Sequence, residues 1–116
     1  MARSSSARPT GPTPVELQIL LCLVENARHG YGIKQEITQR TDGEMQLGSG
    51  TLYEAIQRLE TSGCVEETAV PPAEQSGRRK RHYRLTSQGR RVLESELGRL
   101  DRLVRFAKDR RLLPET

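Results

Sequence analysis

The stretch from residue 87 to residue 113 sets the strongest limit on what this chain can become. Its apolar side chains Leu93, Leu97, Leu100, Val104 and Ala107 step by 4, 3, 4 and 3, the spacing of a heptad seam, and Val92, Leu103 and Phe106 widen the stripe. A helix of roughly 26 residues is about 39 Å long. That exceeds what a globular unit of about 75 residues can cover with its own core. Part of the stripe is expected to pack on the chain's first helix. The excess length predicts a second copy in two-fold arrangement, with Leu93, Leu97, Leu100, Val104 and Ala107 as the dimerisation seam. Thr86 or Ser87 starts this helix and Pro114 closes it near Leu113.

Three shorter helices are predicted ahead of it. Thr13-Pro14-Val15-Glu16 has the form of a capping box, with proline at the first helical position. The apolar residues that follow, from Val15 to Ala27, cover most of the circumference of the helix and suggest burial on more than one side. "ARHGYG" then breaks it. A second helix runs from about Tyr31 to Arg40 with Ile33 and Ile37 inward, and Gly43 ends it. A third opens after Ser49 as N-cap and stops at Gly63. Leu52, Ile56 and Leu59 make its core stripe, while Gly50, Thr51, Glu54, Gln57, Arg58 and Thr61 fall on the other side. Next, "CVEETAV" and "RHYRLT" read as a two-stranded hairpin, with "PPAEQSGRRK" as a long basic loop at its tip. Such short strands must lean on the helices. The fold class is therefore mainly α with a small β-hairpin.

What the polar positions are for depends on charge. The 116 residues allow one modest core. They carry 19 Lys and Arg against 15 Asp and Glu, for a net charge of +4. Most of the cations are arginine, the side chain that pairs bidentately with phosphate and with guanine, so polyanions are the expected partners. With aromatics at 3% and no tryptophan, an aromatic ligand cavity or a base-stacking platform has little to work with. Cys22 and Cys64 have no C-x-x-C companion, and buried free thiols in a reducing cytoplasm are expected. No apolar run reaches 18 residues, so no membrane span is encoded. Residues 1–13 read as a flexible Ser/Arg/Pro-rich tail.

Several chemistries drop out. The glycine pairs Gly30/Gly32 and Gly48/Gly50 match neither the Rossmann fingerprint nor a nucleotide-binding loop, and neither pair follows a predicted strand. His29 and His82 have no carboxylate or thiol at motif spacing, so catalysis, a metal and a cofactor are not expected. His82 is read as a strand residue facing solvent or DNA. In contrast, RRKRHYR, residues 78–84, holds five cations among seven residues. A run like this is often only a solvated face. At a hairpin tip directly after a three-helix unit, it can instead straddle a phosphate backbone or enter the minor groove. Gly32 and Lys34 either hold one DNA phosphate at a helix start or simply make the turn.

"HGYGIKQEI", "SGTLYEAIQRLETSGCV" and "RKRHYRLTSQG", in this order and followed by a long helix, resemble the PadR family of winged helix-turn-helix transcriptional regulators, in its short form with one C-terminal helix. The resemblance spans about residues 15–113. It implies a winged helix-turn-helix domain over 14–86 and a dimerisation helix over 87–113. The implied function is a homodimeric, sequence-specific repressor on a palindromic double-stranded operator, released by a small effector. It makes Ser49, Gly50, Thr51 and Tyr53 the leading edge of a recognition helix, which Gln57 and Arg58 extend along the same polar face. Tyr31, Gly32 and Lys34 become phosphate contacts, and Arg78, Arg79, Lys80, Arg81 and Tyr83 the wing. Glu54 departs from the family's usual proline or apolar residue, and a carboxylate facing DNA repels unless it accepts from a cytosine or turns away. His82 stands where tyrosine is common. A winged-helix module for protein partners, or a nonspecific architectural DNA binder, is the alternative.

Overall fold

The computed structural model describes residues 11–69 and 81–114. Seven elements follow in order: α1 (Pro14–Cys22), β1 (Arg28–His29), α2 (Gly30–Arg40), α3 (Ser49–Thr61), β2 (Val65–Thr68), β3 (His82–Leu85) and α4 (Ser87–Asp109). The strands form one antiparallel sheet in the order β1-β3-β2. β1 is additional to the expected hairpin. Its two residues are too few to show a period, and only pairing of Arg28 with Tyr83 and His29 with His82 defines it.

The helix boundaries follow local chemistry. The Thr13 hydroxyl accepts from the Glu16 N–H at 3.1 Å while Glu16 accepts from the Thr13 N–H at 3.0 Å, so the capping box is complete. α1 stops at Cys22, earlier than its apolar run suggests. There the Arg28 guanidinium donates to the Cys22 carbonyl at 3.0 Å, satisfying a group the helix end leaves open. α2 ends where Asp42 and the expected Gly43 are both in the left-handed conformation, at φ 53° and 82°. The Gly43 N–H then returns to the Thr38 carbonyl at 2.8 Å, a Schellman ending that an aspartate tolerates. Gly63 does the same for α3 at φ 81°. α4 closes at Asp109 rather than near Leu113, because Arg111 turns left-handed at φ 63° and Leu112 bonds back to Ala107 at 2.8 Å. Gly48, one residue before the expected Ser49, is the N-cap of α3.

One core joins these elements. Ile19, Leu20 and Leu23 of α1 and its cap meet Ile33 and Ile37 of α2, Leu52, Ile56 and Leu59 of α3, and Val65, Tyr83 and Leu93. Both cysteines are free and buried within it, and burial pushes the Cys22 thiol above its ordinary range. The start of α4 is locked to the end of α3. Thr86 Oγ1 donates to the Gly63 carbonyl at 2.6 Å, Gln88 Nε2 to the Ser62 carbonyl at 2.8 Å, and the Thr86 N–H to the Cys64 carbonyl at 3.0 Å. Further along, the seam divides. Leu93 is in the core, whereas Leu97, Leu103, Val104 and Phe106 are exposed. Among the described residues, no helix is long and apolar enough to cross a membrane.

Candidate nucleic-acid interface

α2 and α3 present their starts on one side of the molecule, and the reason is a glycine. Gly30 is the first residue of α2, and a Cβ there would lie 2.1 Å from Tyr53 Oη and 2.6 Å from Tyr53 Cζ. Only a bare Cα lets the Tyr53 ring lie across this turn. That contact ties the fifth residue of α3 to the head of α2. The sheet joins the same face through Tyr83, whose hydroxyl accepts from Arg81 just ahead of β3 and lies in the field of Tyr53 and Glu60. Burial holds the Tyr83 hydroxyl above the ordinary tyrosine range, while Arg81 draws it the other way.

Along α3, Ser49, Gly50, Thr51, Tyr53, Glu54 and Gln57 are all exposed. No side chain caps the amides at its start, and no side or main chain approaches within 4 Å of where a Cβ on Gly48 or Gly50 would stand. The face is therefore polar, small at its tip, and open to an incoming groove. On α2, Tyr31 is 59% exposed, accepts from Gln35 at 3.3 Å and precedes a half-buried Lys34. Arg81 is exposed beside Glu67, 3.7 Å away. Arg78, Arg79 and Lys80, the other expected wing cations, lie outside the described residues, as does most of the N-terminal tail.

Four expectations need correction. Tyr83 is 2% exposed and cannot touch a ligand. It belongs to the core and acts by holding Arg81, because β3 is the central strand and turns this side chain inward. His82 is also buried rather than turned to solvent or DNA. It pairs with His29 across the sheet, ring centroids 5.6 Å apart. The Gly32 N–H donates to His29 Nδ1 at 3.1 Å, so the N-cap already occupies the donor expected to meet a phosphate. Finally, Arg58 is turned along its helix toward α1, where Nε meets Glu16 Oε2 at 2.7 Å. Glu16, His29 and Gly30 were not singled out as site-forming from sequence. A capping box and a glycine pair are visible there, but not their partners across the fold.

The Glu16 carboxylate is 1% exposed and Arg58 about half exposed, so the pair is a structural tie more than a reading contact. Arg58→Ala is expected to lower stability by about 1–3 kcal/mol, with Arg58→Lys recovering part of it. Chemical denaturation of the three proteins measures this. An alanine variant as stable as wild type would return Arg58 to a purely surface role.

A family model described as the transcriptional regulator PadR-like family matches residues 19–95. The uncharacterized protein X of Lysinibacillus sphaericus is 40% identical over 79 residues, which cover 68% of this chain and 70% of that protein. Among solved structures, a transcriptional regulator from Clostridium thermocellum superposes with a TM-score of 0.69 at 25% identity, over 85% of this chain and 90% of that one. Bacillus subtilis PadR in complex with operator DNA is similar in fold, with a TM-score of 0.64 at 19% identity, over 73% of this chain and 47% of that one.

Proposed function

The chain belongs to the PadR-like family of transcriptional regulators, and from that premise we propose that it represses transcription as a homodimer bound to a palindromic double-stranded operator and released by a small effector. The observation that carries this reading is the open polar tip of α3 beside the head of α2 and Arg81. In a helix-turn-helix the second helix lays its N-terminal residues along base edges in the major groove, while neighbouring elements hold phosphates and fix the register. Ser49, Gly50, Thr51 and Gln57 suit the first task. Tyr31, Lys34 and the wing arginines suit the second. Glu54, exposed on the same helix, either accepts from a cytosine amino group or disfavours other bases at its position.

Dimerisation is supported by the exposed distal part of α4 and the residues just after it, where Leu97, Leu103, Val104, Phe106, Leu112 and Leu113 lack a covering element among the described residues. A second copy seated there sets two α3 helices on successive major grooves, about 10 bp or a multiple apart. Work in the cytoplasm fits the two reduced thiols.

Duplex spanning the chain's own promoter is expected to shift at about 150 mM salt well before random duplex. Equal affinity for both would favour an architectural or protein-binding role. Affinity should also fall steeply with salt, and Arg79→Ala with Arg81→Ala should reduce the slope of log K against log salt by roughly one per lost phosphate contact. An unaltered slope removes the wing from the interface.

A further inference from the structure

We infer that Tyr53 grips a backbone phosphate rather than a base edge, and that the missing side chain of Gly30 is what aims it there. This rests on the DNA-binding reading above and divides the work within that interface. A residue that reads bases must project away from the domain into the groove. Tyr53 does the opposite. Leu52, Ala55 and Ile56 hold their side of α3 in the core, and the phenol leaves the helix to lie over the first Cα of α2, where a Cβ on Gly30 would be 2.1 Å from Oη, 2.6 Å from Cζ and 2.9 Å from Cε1. The ring is thus spent on bridging two helices.

Its surroundings suit a phosphate. Tyr53 is 45% exposed, so the residue stays at the surface while its ring bridges the two helices. The Gly30 it covers is followed by the exposed Tyr31 and, one turn along α2, by the half-buried Lys34, and Tyr83, which accepts from Arg81, lies in the field of Tyr53. These are hydroxyl and cationic donors, the set that fixes register on a duplex without reading sequence. Base selection is then left to Ser49, Thr51, Glu54 and Gln57, which are exposed on the same helix.

Binding of Tyr53→Phe to operator and to random duplex tests the assignment. Losing one neutral hydroxyl contact is expected to weaken both about three- to tenfold. The ratio between the two duplexes should hold, and so should the salt slope, because a hydroxyl neutralises no phosphate charge and displaces no counterion. A fall confined to operator would make Tyr53 a base reader and overturn the inference, as would unchanged binding to both.

The aiming role of Gly30 is tested by melting. Gly30→Ala should lower the melting temperature in the wild-type background and have little further effect when Tyr53 is already alanine, since the clash is then gone. Equal losses in the two backgrounds would overturn that part. A wild-type chain that binds neither duplex would overturn the DNA-binding reading and the phosphate assignment with it, leaving the melting result to judge the packing alone.

Discussion

Aspartate at both Leu97 and Leu100 is expected to leave a folded monomer whose affinity for operator is about 10²–10⁴-fold lower. Two facts separate this outcome from simple unfolding. Leu93, one turn earlier, is 3% exposed and part of the core, whereas Leu97 is 39% exposed and Leu100 only half-buried. Neither of the two substituted residues belongs to the buried cluster that holds the domain together. A carboxylate at either position therefore meets water in the monomer. In a dimer it is buried without a partner, which is strongly unfavourable. The fall in affinity follows from connectivity, since two half-sites held by one dimer bind with an effective concentration that two separate monomers lack, a difference of about 10²–10⁴. Light scattering reads the mass and fluorescence anisotropy reads the binding. A stable dimer from the double variant would place the partner elsewhere on the chain.

Gly89→Val is expected to be the most damaging single substitution, and for a reason unrelated to DNA. A Cβ at Gly89 would stand 2.1 Å from the Cys64 carbonyl oxygen, 2.9 Å from its carbon and 2.9 Å from Leu85 Cδ1. That carbonyl cannot turn aside, because it accepts the Thr86 N–H at 3.0 Å. The first turn of α4 would have to lift, and the Gln88 contact with Ser62 and the Thr86 contact with Gly63 would go with it. Overpacking against fixed backbone, with capping bonds lost as well, amounts to about 3 kcal/mol or more. In a domain of this size that lowers the melting temperature by more than about 10 °C. Gly98→Ala serves as the control. Its Cβ would find only Arg102 Nη1 at 3.9 Å, so improved helix propensity should leave stability equal or raised by up to about 1 kcal/mol. Thermal unfolding of both variants decides the matter. Similar melting of Gly89→Val and wild type would mean that α4 is not anchored through this contact.

Much of the framework was legible because its causes are local. Thr13 and Glu16 close a capping box within one turn, Leu52, Ile56 and Leu59 repeat on one face of α3, and Gly63 ends that helix where only a left-handed residue serves. The errors have equally physical sources. Arg111 adopts the left-handed conformation and ends α4 ahead of the Pro114 stop signal, and Asp42 turns left-handed beside the expected Gly43. β1 exists only because β3 pairs with it. Tyr83 and His82 sit in a cation-rich run that reads as surface, yet β3 is the middle strand and buries both.

The interface shows the same division more sharply. By itself the sequence determined the four helices and the two hairpin strands, their order, and that a polar, glycine-started helix is followed along the chain by a cationic hairpin, since caps, periods and turns depend on a few neighbouring residues. Tertiary structure alone decided which of those polar side chains are available. Arg58 is engaged by a carboxylate 42 residues away, Tyr53 is drawn across to α2 by the bare Cα of Gly30, and Gly32 gives its amide to His29. Hydrogen bonds and steric contacts act over a few ångströms in space, and folding, not chain position, brings those partners within reach.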